Sequence, residues 1–318
     1  MPNTYVSLPS KNYLLNGNFS VAQIGTSGTV LNSLAQPTQS SGYYASDCWY
    51  AVANGGTPTI AQVAGAGSLY ALQLTGAASV SNAYIAQRIE KLNTDGLAGS
   101  TVSLSLQTSN SLLTTVSWAA YYATTANTFG TVGTPTKTSI ASGNFTVTAT
   151  LAAYTVSFAV PAAATTGIEI VFSVGAQVSG TWVLQNVKLE ANSFSTQFVP
   201  EDYSQNLAKC LRYFYKGVPS AVGVVWIGGN KLSRLSCNHP VEMSKIPTIV
   251  VTGILYAWDG TINSNIISTS TIASYCTTRY LEFDVVGGVN LTRTGDCVKV
   301  YQYDTSSSNY MSVFAYIS

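Results

Sequence analysis

The segment NFTVTATLAAYTVSFAV, residues 144–160, alternates apolar and polar side chains twice. Apolar residues occupy every second position from Phe145 to Leu151, and again from Tyr154 to Val160. Successive side chains of a β-strand point to opposite faces of the sheet. The segment therefore predicts two strands, each with one apolar face turned toward a core.

The same period of two recurs between Tyr13 and Pro200, where Gly-rich turns separate the alternating runs. Each further set is expected to share one strand face: Val102, Leu104 and Leu106; Ile168, Ile170, Phe172 and Val174; and Val183, Val187 and Leu189. Many short strands with one apolar face are typical of an antiparallel sandwich.

The composition of the chain argues against two classes of function, nucleic-acid binding and membrane insertion. Charged residues make up 8% of the 318-residue chain and apolar residues 46%, with a formal net charge of +1. Without a basic tract, the chain lacks the electrostatic signature of a nucleic-acid binder. No apolar run approaches the roughly 20 residues of a spanning helix, so membrane insertion is not expected.

The N-terminal residues carry no basic segment followed by an apolar one, so no signal peptide is predicted. The protein is expected to be made in the cytoplasm and either to stay there or to leave by lysis. The odd number of cysteines, widely spread and without CxxC spacing, argues against a disulfide framework or a zinc site. Buried free thiols are predicted for all five: Cys48, Cys210, Cys237, Cys276 and Cys297.

One segment, SQNLAKCLRYFYKG at residues 204–217, departs from the strand pattern. It predicts a short amphipathic helix, because its apolar residues recur at i, i+3, i+4 and i+7. Asp202 or Ser204 is expected to cap the start, and Gly217 to end it. Tyr213 lies off the apolar stripe, which suggests packing between two modules or between subunits. The predicted assembly residues are Leu207, Cys210, Leu211, Phe214 and Tyr213.

Alternation resumes after Gly217 in a smaller β region. The predicted fold class is all-β, with two antiparallel, jelly-roll-like β-sandwich domains joined by one short α-helix. The expected layout is an N-terminal arm (1–12), a jelly-roll sandwich (13–200), a connecting helix (201–217) and a C-terminal sandwich (218–318).

Catalytic chemistry is hard to build from these residues. The single histidine, His239, has no cysteine or carboxylate at ligand spacing, so a structural role is predicted. Glu282 and Asp284 share a strand face and could in principle serve as a glycosidase pair, but a solvated strand face opposite Leu281, Phe283 and Val285 is the preferred explanation. The chain is therefore expected not to be an enzyme.

The aromatic content points to binding instead. Tyrosine, present 20 times, offers a large contact area with one polar group. In the C-terminal region, Trp258 would stack on a sugar ring and Asp259 would bind hydroxyls; the alternative is that Trp258 packs on its own sandwich. Trp49 and Trp182 are expected in the first core. The candidate glycan contacts are Tyr256, Trp258, Asp259 and Tyr280.

Five segments resemble one known family in order and spacing, at residues 14–27, 42–50, 86–107, 182–216 and 239–253. This family is the phage tail-fibre and virion receptor-binding proteins with a carbohydrate-binding-module-like jelly roll. The matching residues are Gly42, Asp47, Trp49, Gln87, Arg88, Ile89, Glu90, Gly99, Leu189, Glu190, Thr196, Phe198, Cys210, Arg212, Tyr213 and Tyr215.

The resemblance implies a non-enzymatic virion protein, usually a homotrimer, on a tail or baseplate. Its partner would be a host surface glycan or protein. The alternatives are a particle decoration fibre without a receptor and a capsule-degrading depolymerase. Related jelly rolls often hold a structural calcium, but here Ser20 replaces the expected Glu, leaving Asp47 and Glu190 as possible ligands. No cofactor is therefore predicted.

Overall fold

The computed structural model describes residues 10–38, 41–43, 45–94, 96–217, 222–227, 232–252, 254–258, 263–267, 276–285, 297–301 and 310–316. Chain contacts divide it into two compact units, the first ending at Cys210 and the second comprising Leu211–Tyr316. Neither described helix is long and apolar enough to cross a membrane.

The first unit consists almost wholly of β-strands. They are β1 (Ser27–Thr29), β2 (Trp49–Asn54), β3 (Thr59–Ala64), β4 (Tyr70–Thr75), β5 (Asn82–Ile89), β6 (Thr101–Asn110), β7 (Thr115–Ala123), β8 (Lys137–Thr146), β9 (Ala152–Ala159), β10 (Ile168–Val174) and β11 (Thr181–Glu190). Two short helices accompany them, α1 (Lys91–Thr94) and α2 (Tyr203–Cys210).

These strands form two antiparallel sheets. The six-stranded sheet has the order β1-β3-β4-β11-β6-β9, and the five-stranded sheet has the order β2-β5-β10-β7-β8. Several neighbouring strands in these sheets are far apart in sequence. For example, β11 pairs with β4, with Thr181 opposite Thr75 and Leu184 opposite Leu72. The prediction of an all-β sandwich is confirmed.

The apolar faces of the two sheets meet in one core. Leu104 on β6 and Phe172 on β10 are both fully buried there, as the alternation predicts. Trp49 and Trp182 are also confirmed as core residues, with exposed fractions of 1% and 0%. Burying about 150–250 Å² per indole contributes about 4–6 kcal/mol of transfer free energy each.

The segment from Phe145 to Leu151 is only partly a strand. β8 ends at Thr146 and β9 begins at Ala152, so residues 147–151 carry the chain from the five-stranded to the six-stranded sheet. Val147 nevertheless remains buried in the core. The buried face of β8 therefore continues for one position past the end of the strand and stops there, because Ala149 is exposed.

The prediction that Val183 shares a face with Val187 is wrong. β11 contains a bulge between Gln185 and Lys188, and Asn186 within it has a φ of 52°. A bulge adds one residue and shifts the phase of the side chains. Buried apolar residues therefore occupy positions 182 and 184 before the bulge and 187 and 189 after it.

The described strands of the second unit also form two antiparallel sheets. Its described strands are β12 (Phe214–Gly217), β13 (Val222–Ile227), β14 (Leu232–Asn238), β15 (Thr248–Thr252), β16 (Ile254–Trp258), β17 (Asn263–Ile267), β18 (Tyr280–Val285), β19 (Cys297–Tyr301) and β20 (Tyr310–Phe314). The sheet orders are β12-β20-β15 and β17-β16-β19-β13-β14-β18.

The predicted helix at 201–217 is shorter than expected. α2 ends at Cys210, and Phe214, expected on its apolar stripe, begins strand β12 instead. β12 pairs with β20, and the Ala315 amide donates to the Tyr213 carbonyl at 2.7 Å. Aromatic residues favour extended backbone, so the run from Tyr213 to Tyr215 joins a sheet rather than extending the helix.

The start of α2 agrees with the sequence. Asp202 is its N-cap, because its carboxylate accepts the backbone amide of Ser204 at 2.9 Å. The Asp202 carbonyl accepts the amide of Asn206, also at 2.9 Å. The hydrogen bonds from Ser204 hold the pKa of Asp202 below its usual value.

A buried amide fastens α2 to the sandwich. The Nδ2 group of Asn206 donates to Asn16 Oδ1 at 3.0 Å, to Asn18 Oδ1 at 3.3 Å and to Ser20 Oγ at 3.0 Å. In return, Asn206 Oδ1 accepts the Asn16 backbone amide at 3.2 Å. Since Asn206 is fully buried, these bonds are shielded from water.

Replacing Asn206 with Ala should destabilise the first unit. The change leaves the polar groups of Asn16 and Asn18 without their shared partner, and a lost buried bond of this kind costs about 1–3 kcal/mol. Hydrogen exchange of the β-strands in urea measures the loss. Gln205→Ala, on the exposed side of the same helix, should change stability by less than about 0.5 kcal/mol. Equal effects of the two variants would contradict the anchoring role.

Candidate functional site

After β11 the chain folds back across the outer face of the six-stranded sheet. We call residues 191–200 the return segment. Ser157 on the edge strand β9 donates its hydroxyl to the Ser193 carbonyl at 2.7 Å. Thr196, further along, is buried against the sheet. The return segment therefore forms a wall on a face that would otherwise be open.

A buried ion pair holds this wall in place. Lys188 Nζ lies 3.1 Å from Glu190 Oε2, and both side chains are almost fully buried. Glu190 accepts the backbone amide and the hydroxyl of Thr196, each at 2.6 Å. Lys188 donates to Thr196 Oγ1 at 2.5 Å and to the Gln197 carbonyl at 3.3 Å. Every charge at this position therefore has a partner on the return segment.

The pKa of Glu190 reflects this arrangement. Burial raises it, but hydrogen bonds from Ser10, Thr196 and Lys188 outweigh burial and hold it below the usual value for a glutamate. Glu190 is therefore ionised at neutral pH and attracts the donors of the return segment.

A groove of about 440 Å³ lies beside the wall. β6, β9 and β11 supply its floor, the loop between β3 and β4 one end, and the return segment one side. None of the described residues in its lining carries a charged side chain. The lining residues are Gly67, Ser105, Leu106, Gln107, Ala153, Tyr154, Thr155, Asn186, Ser195, Thr196, Gln197 and Phe198.

Side-chain amides on the groove floor are fixed in orientation. Gln107 Oε1 accepts from Gln185 Nε2 at 2.9 Å and from Asn186 Nδ2 at 3.1 Å. Gln185 also exchanges two hydrogen bonds with the backbone of Ala66, and Asn186 Oδ1 accepts the Ser68 hydroxyl at 3.1 Å. This closed network determines which end of each amide faces the groove.

Polar groups with unused bonding capacity remain in the groove. The NH₂ group of Gln107 has no partner among the described residues, since both of its neighbours bond to the oxygen. Ser195 Oγ is buried and also has no partner in the described part of the chain. Phe198 adds an aromatic surface to the same lining. The groove thus combines free donors and acceptors with one apolar ring.

The groove residues escaped sequence analysis. Gln107 and Asn186 face it because of strand phase and the bulge, respectively. The sequence did contain a signal for the bulge. Apolar residues at 182 and 184 are followed by apolar residues at 187 and 189, and the three-residue spacing between 184 and 187 breaks the period of two. Phe198 appears in the family resemblance, but without an assigned role.

The predicted glycan contacts belong to the second unit. The backbone of Tyr256 and Trp258 lies on β16, but their side chains, and Asp259 altogether, lie outside the described residues. Tyr280 is the first residue of β18 and is exposed. Glu282 and Asp284 also lie on β18, and their side chains are not among the described parts of the structure. The proposed sugar contacts at these positions remain predictions.

Positions expected to mediate assembly fall on both sides of the helix end. Leu207 is half-buried and Cys210 is buried on α2 in the first unit. Leu211 is half-buried in the following turn. Tyr213 and Phe214 are buried in the second unit, where each ring stacks 6.4 Å from Tyr316. Their role in assembly remains a prediction.

His239 is held between two partners of the second unit. Its Nδ1 lies 2.9 Å from the Tyr215 hydroxyl and its Nε2 lies 3.2 Å from the Thr277 carbonyl. Burial lowers the pKa of this histidine, which favours the neutral ring. Among the described cysteines, Cys48, Cys210 and Cys276 are buried free thiols, as predicted.

The motif residue Arg88 belongs to a buried ionic network on the five-stranded sheet. Its Nε lies 2.7 Å from Glu169 Oε1, which also accepts the Tyr50 hydroxyl at 2.9 Å. Lys137 binds the other carboxylate oxygen. Burial raises the pKa of Glu169, but the two cations outweigh it and the pKa lies below its usual value. Arg88 therefore has a structural role, because it pairs with the buried carboxylate of Glu169.

The two proposed calcium ligands have protein partners. Asp47 is fully buried and accepts the Gln23 backbone amide at 2.8 Å and its side-chain amide at 2.6 Å. Glu190 is bonded to Thr196 and Lys188, as described above. No group of three or more His, Cys, Asp or Glu side chains in the described ranges is arranged to hold a metal.

The first unit is thus a jelly-roll-like sandwich with a neutral groove on one outer face. No protein-family model matches the chain, and neither does any curated protein. Among solved structures, the enzymatically active domain of bacteriophage CBA120 tailspike protein 4 is 16% identical over 57% of this chain and 21% of its own, with a TM-score of 0.39.

Two other structures resemble the chain to a similar extent. A putative sugar binding protein from Bacteroides thetaiotaomicron is 15% identical over 57% of this chain and all of its own, with a TM-score of 0.39. A family 4 carbohydrate-binding module is 14% identical over 56% of this chain and 98% of its own, with a TM-score of 0.37. At these values the comparisons carry no functional argument.

Asp47 should make stability depend on pH. Burial raises its pKa to about 6 from an ordinary 3.8, against hydrogen bonds from Gln23 that lower it. The folded state therefore binds a proton more tightly than the unfolded state. Its contribution to the free energy of unfolding is largest below about pH 4 and falls as pH rises to about 6, by up to about 3 kcal/mol.

The test compares wild type with Asp47→Asn in urea unfolding at pH 4, 5, 6 and 7. Subtracting the variant removes the contributions of the other carboxylates. The wild-type advantage should shrink with rising pH and level off above about pH 6. A difference that stays constant across this range would show that Asp47 titrates normally.

Proposed function

We propose that the first unit is a glycan-binding module and that the groove beside the return segment holds a neutral part of the glycan. The observation that carries this proposal is the chemistry of the lining. Fixed amides and hydroxyls face an uncharged cavity next to an aromatic ring. Its volume of about 440 Å³ lies within the usual range for small-molecule sites.

Sugar hydroxyls suit these groups because each both donates and accepts a hydrogen bond. The Gln107 NH₂ group offers donors, and the hydroxyls of Ser195 and Thr155 can take either role. The network behind Gln107 prevents its amide from turning to satisfy itself elsewhere. Such preorganisation reduces the entropy lost on binding. The Phe198 ring offers an apolar surface for one side of a sugar ring.

We further propose that the chain is a phage tail-fibre or receptor-binding protein that attaches the particle to a host surface glycan without cleaving it. Residues of the family resemblance support this reading, because Glu190, Thr196 and Phe198 build the groove wall. Three copies would supply avidity to a weak single site. Sedimentation should then show a trimer, and a monomer at micromolar concentration would contradict the assembly.

Gln107→Ala should weaken glycan binding. The variant removes the free donor and releases Gln185 and Asn186, so the affinity for glycans that bind wild type should fall about tenfold, equivalent to about 1.4 kcal/mol. A printed glycan array identifies the ligands, and titration calorimetry then measures the affinities. Release of reducing ends from the same glycans is measured in parallel and should be absent.

Gln73→Ala provides the matched control, because Gln73 is also a half-buried amide on the six-stranded sheet but does not line the groove. It should change affinity less than twofold. Retention of no glycan by wild type, or equal affinities of wild type and Gln107→Ala, would refute the groove as the binding site.

A further inference from the structure

A second cavity lies on the other side of the return segment. It has a volume of about 360 Å³, and Phe198 lines both this cavity and the groove. Its lining comes from the N-terminal loop, the end of the return segment and α2. The lining residues are Lys11, Asn12, Leu14, Asn16, Gly17, Asn18, Phe198, Val199, Pro200, Glu201, Asn206 and Lys209.

We propose that this second cavity binds the carboxylate of an acidic sugar and that the ligand of the first unit is therefore an acidic oligosaccharide. The inference rests on the proposed function, since it assigns a second subsite to the same glycan. It depends on which hydrogen-bonding groups of the cavity are already satisfied.

The amide oxygens in the cavity are occupied. Asn12 Oδ1 accepts the backbone amides of Leu14 and Leu189, both at 3.0 Å. Asn16 Oδ1 accepts the amide of Val21 and the side chain of Asn206, also at 3.0 Å each. These oxygens therefore have little capacity left for the hydroxyl hydrogens of a neutral sugar.

A third amide leaves a donor free. Asn18 is 8% exposed, and its Oδ1 accepts from Ser20 and Asn206. Its NH₂ group has no partner among the described residues. Because the oxygen is fixed by two neighbours, the donor end of this buried side chain is the end left for a ligand.

Two ammonium groups add positive charge. Lys11 is exposed, and its Nζ lies 4.6 Å from the centre of the Tyr13 ring, with no carboxylate partner in the described ranges. Lys209 pairs with Glu201, which is the only acidic residue among the described residues of the lining. Two lysines against one glutamate leave a formal charge of +1.

A carboxylate suits this set of groups because it is a pure acceptor. It could take a charge-assisted bond from Lys11 and a neutral one from Asn18, and such charge-assisted bonds are about twice as strong as neutral ones. Glu201 would repel the ligand, but Lys209 offsets its charge. Phe198 borders both cavities. One oligosaccharide that passes over this residue can therefore place a neutral sugar ring in the groove and a uronate in the second cavity.

The experiment uses an array that carries neutral oligosaccharides and pairs of oligouronates with their methyl esters. Esterification removes the charge and keeps the sugar rings. Wild type should bind acids about five- to tenfold more tightly than their esters, and the preference should decline with added salt. Lys11→Gln should abolish the preference, because it weakens the binding of the acids. Lys91→Gln, at an exposed position on α1, should retain it.

Each outcome decides one of the two claims. Equal binding of acids and esters, or a preference that survives Lys11→Gln, overturns the acidic subsite while Gln107→Ala still weakens binding. If no oligosaccharide binds, or if Gln107→Ala has no effect on those that do, the proposed function itself fails.

Discussion

The buried ion pair between Lys188 and Glu190 controls how the chain leaves the sandwich. Two charges removed from water need further hydrogen bonds, because their mutual attraction does not by itself offset their desolvation. Thr196 supplies those bonds, and it can do so only if the return segment folds back over the sheet. The segment then delivers α2 to the position where Asn206 is buried. A local electrostatic requirement therefore organises one whole outer face.

The return segment borders two cavities with different chemistry, and Phe198 lines both of them. In the groove, Gln107 and Asn186 belong to a hydrogen-bond network that leaves uncharged hydrogen-bonding groups available to a ligand. In the second cavity, neighbouring groups saturate the amide oxygens, so donors remain. The position of an amide side chain on the backbone thus determines which of its groups remain free, and therefore whether it binds a sugar hydroxyl or an anion.

Sequence periodicity predicted much of the sandwich, because strand faces that contact a core must be apolar. It failed where the structure depends on distant contacts. The spacing of the apolar residues in β11 indicates the bulge at Asn186, but the pairing between β11 and β6, which places Asn186 beside Gln107, cannot be read from one strand. Likewise, α2 ends at Cys210 because residues from Phe214 onward pair with β20, about one hundred residues later. The candidate site depended on the bulge, and for that reason sequence reasoning missed it.

We propose that glycan binds on the outer face of the six-stranded sheet, and a crystal structure of the full chain with its best array ligand tests this. The structure should show a sugar ring hydrogen-bonded to Gln107 and packed against Phe198. A ligand bound to the five-stranded sheet or to the second unit, with the groove unchanged, would contradict it.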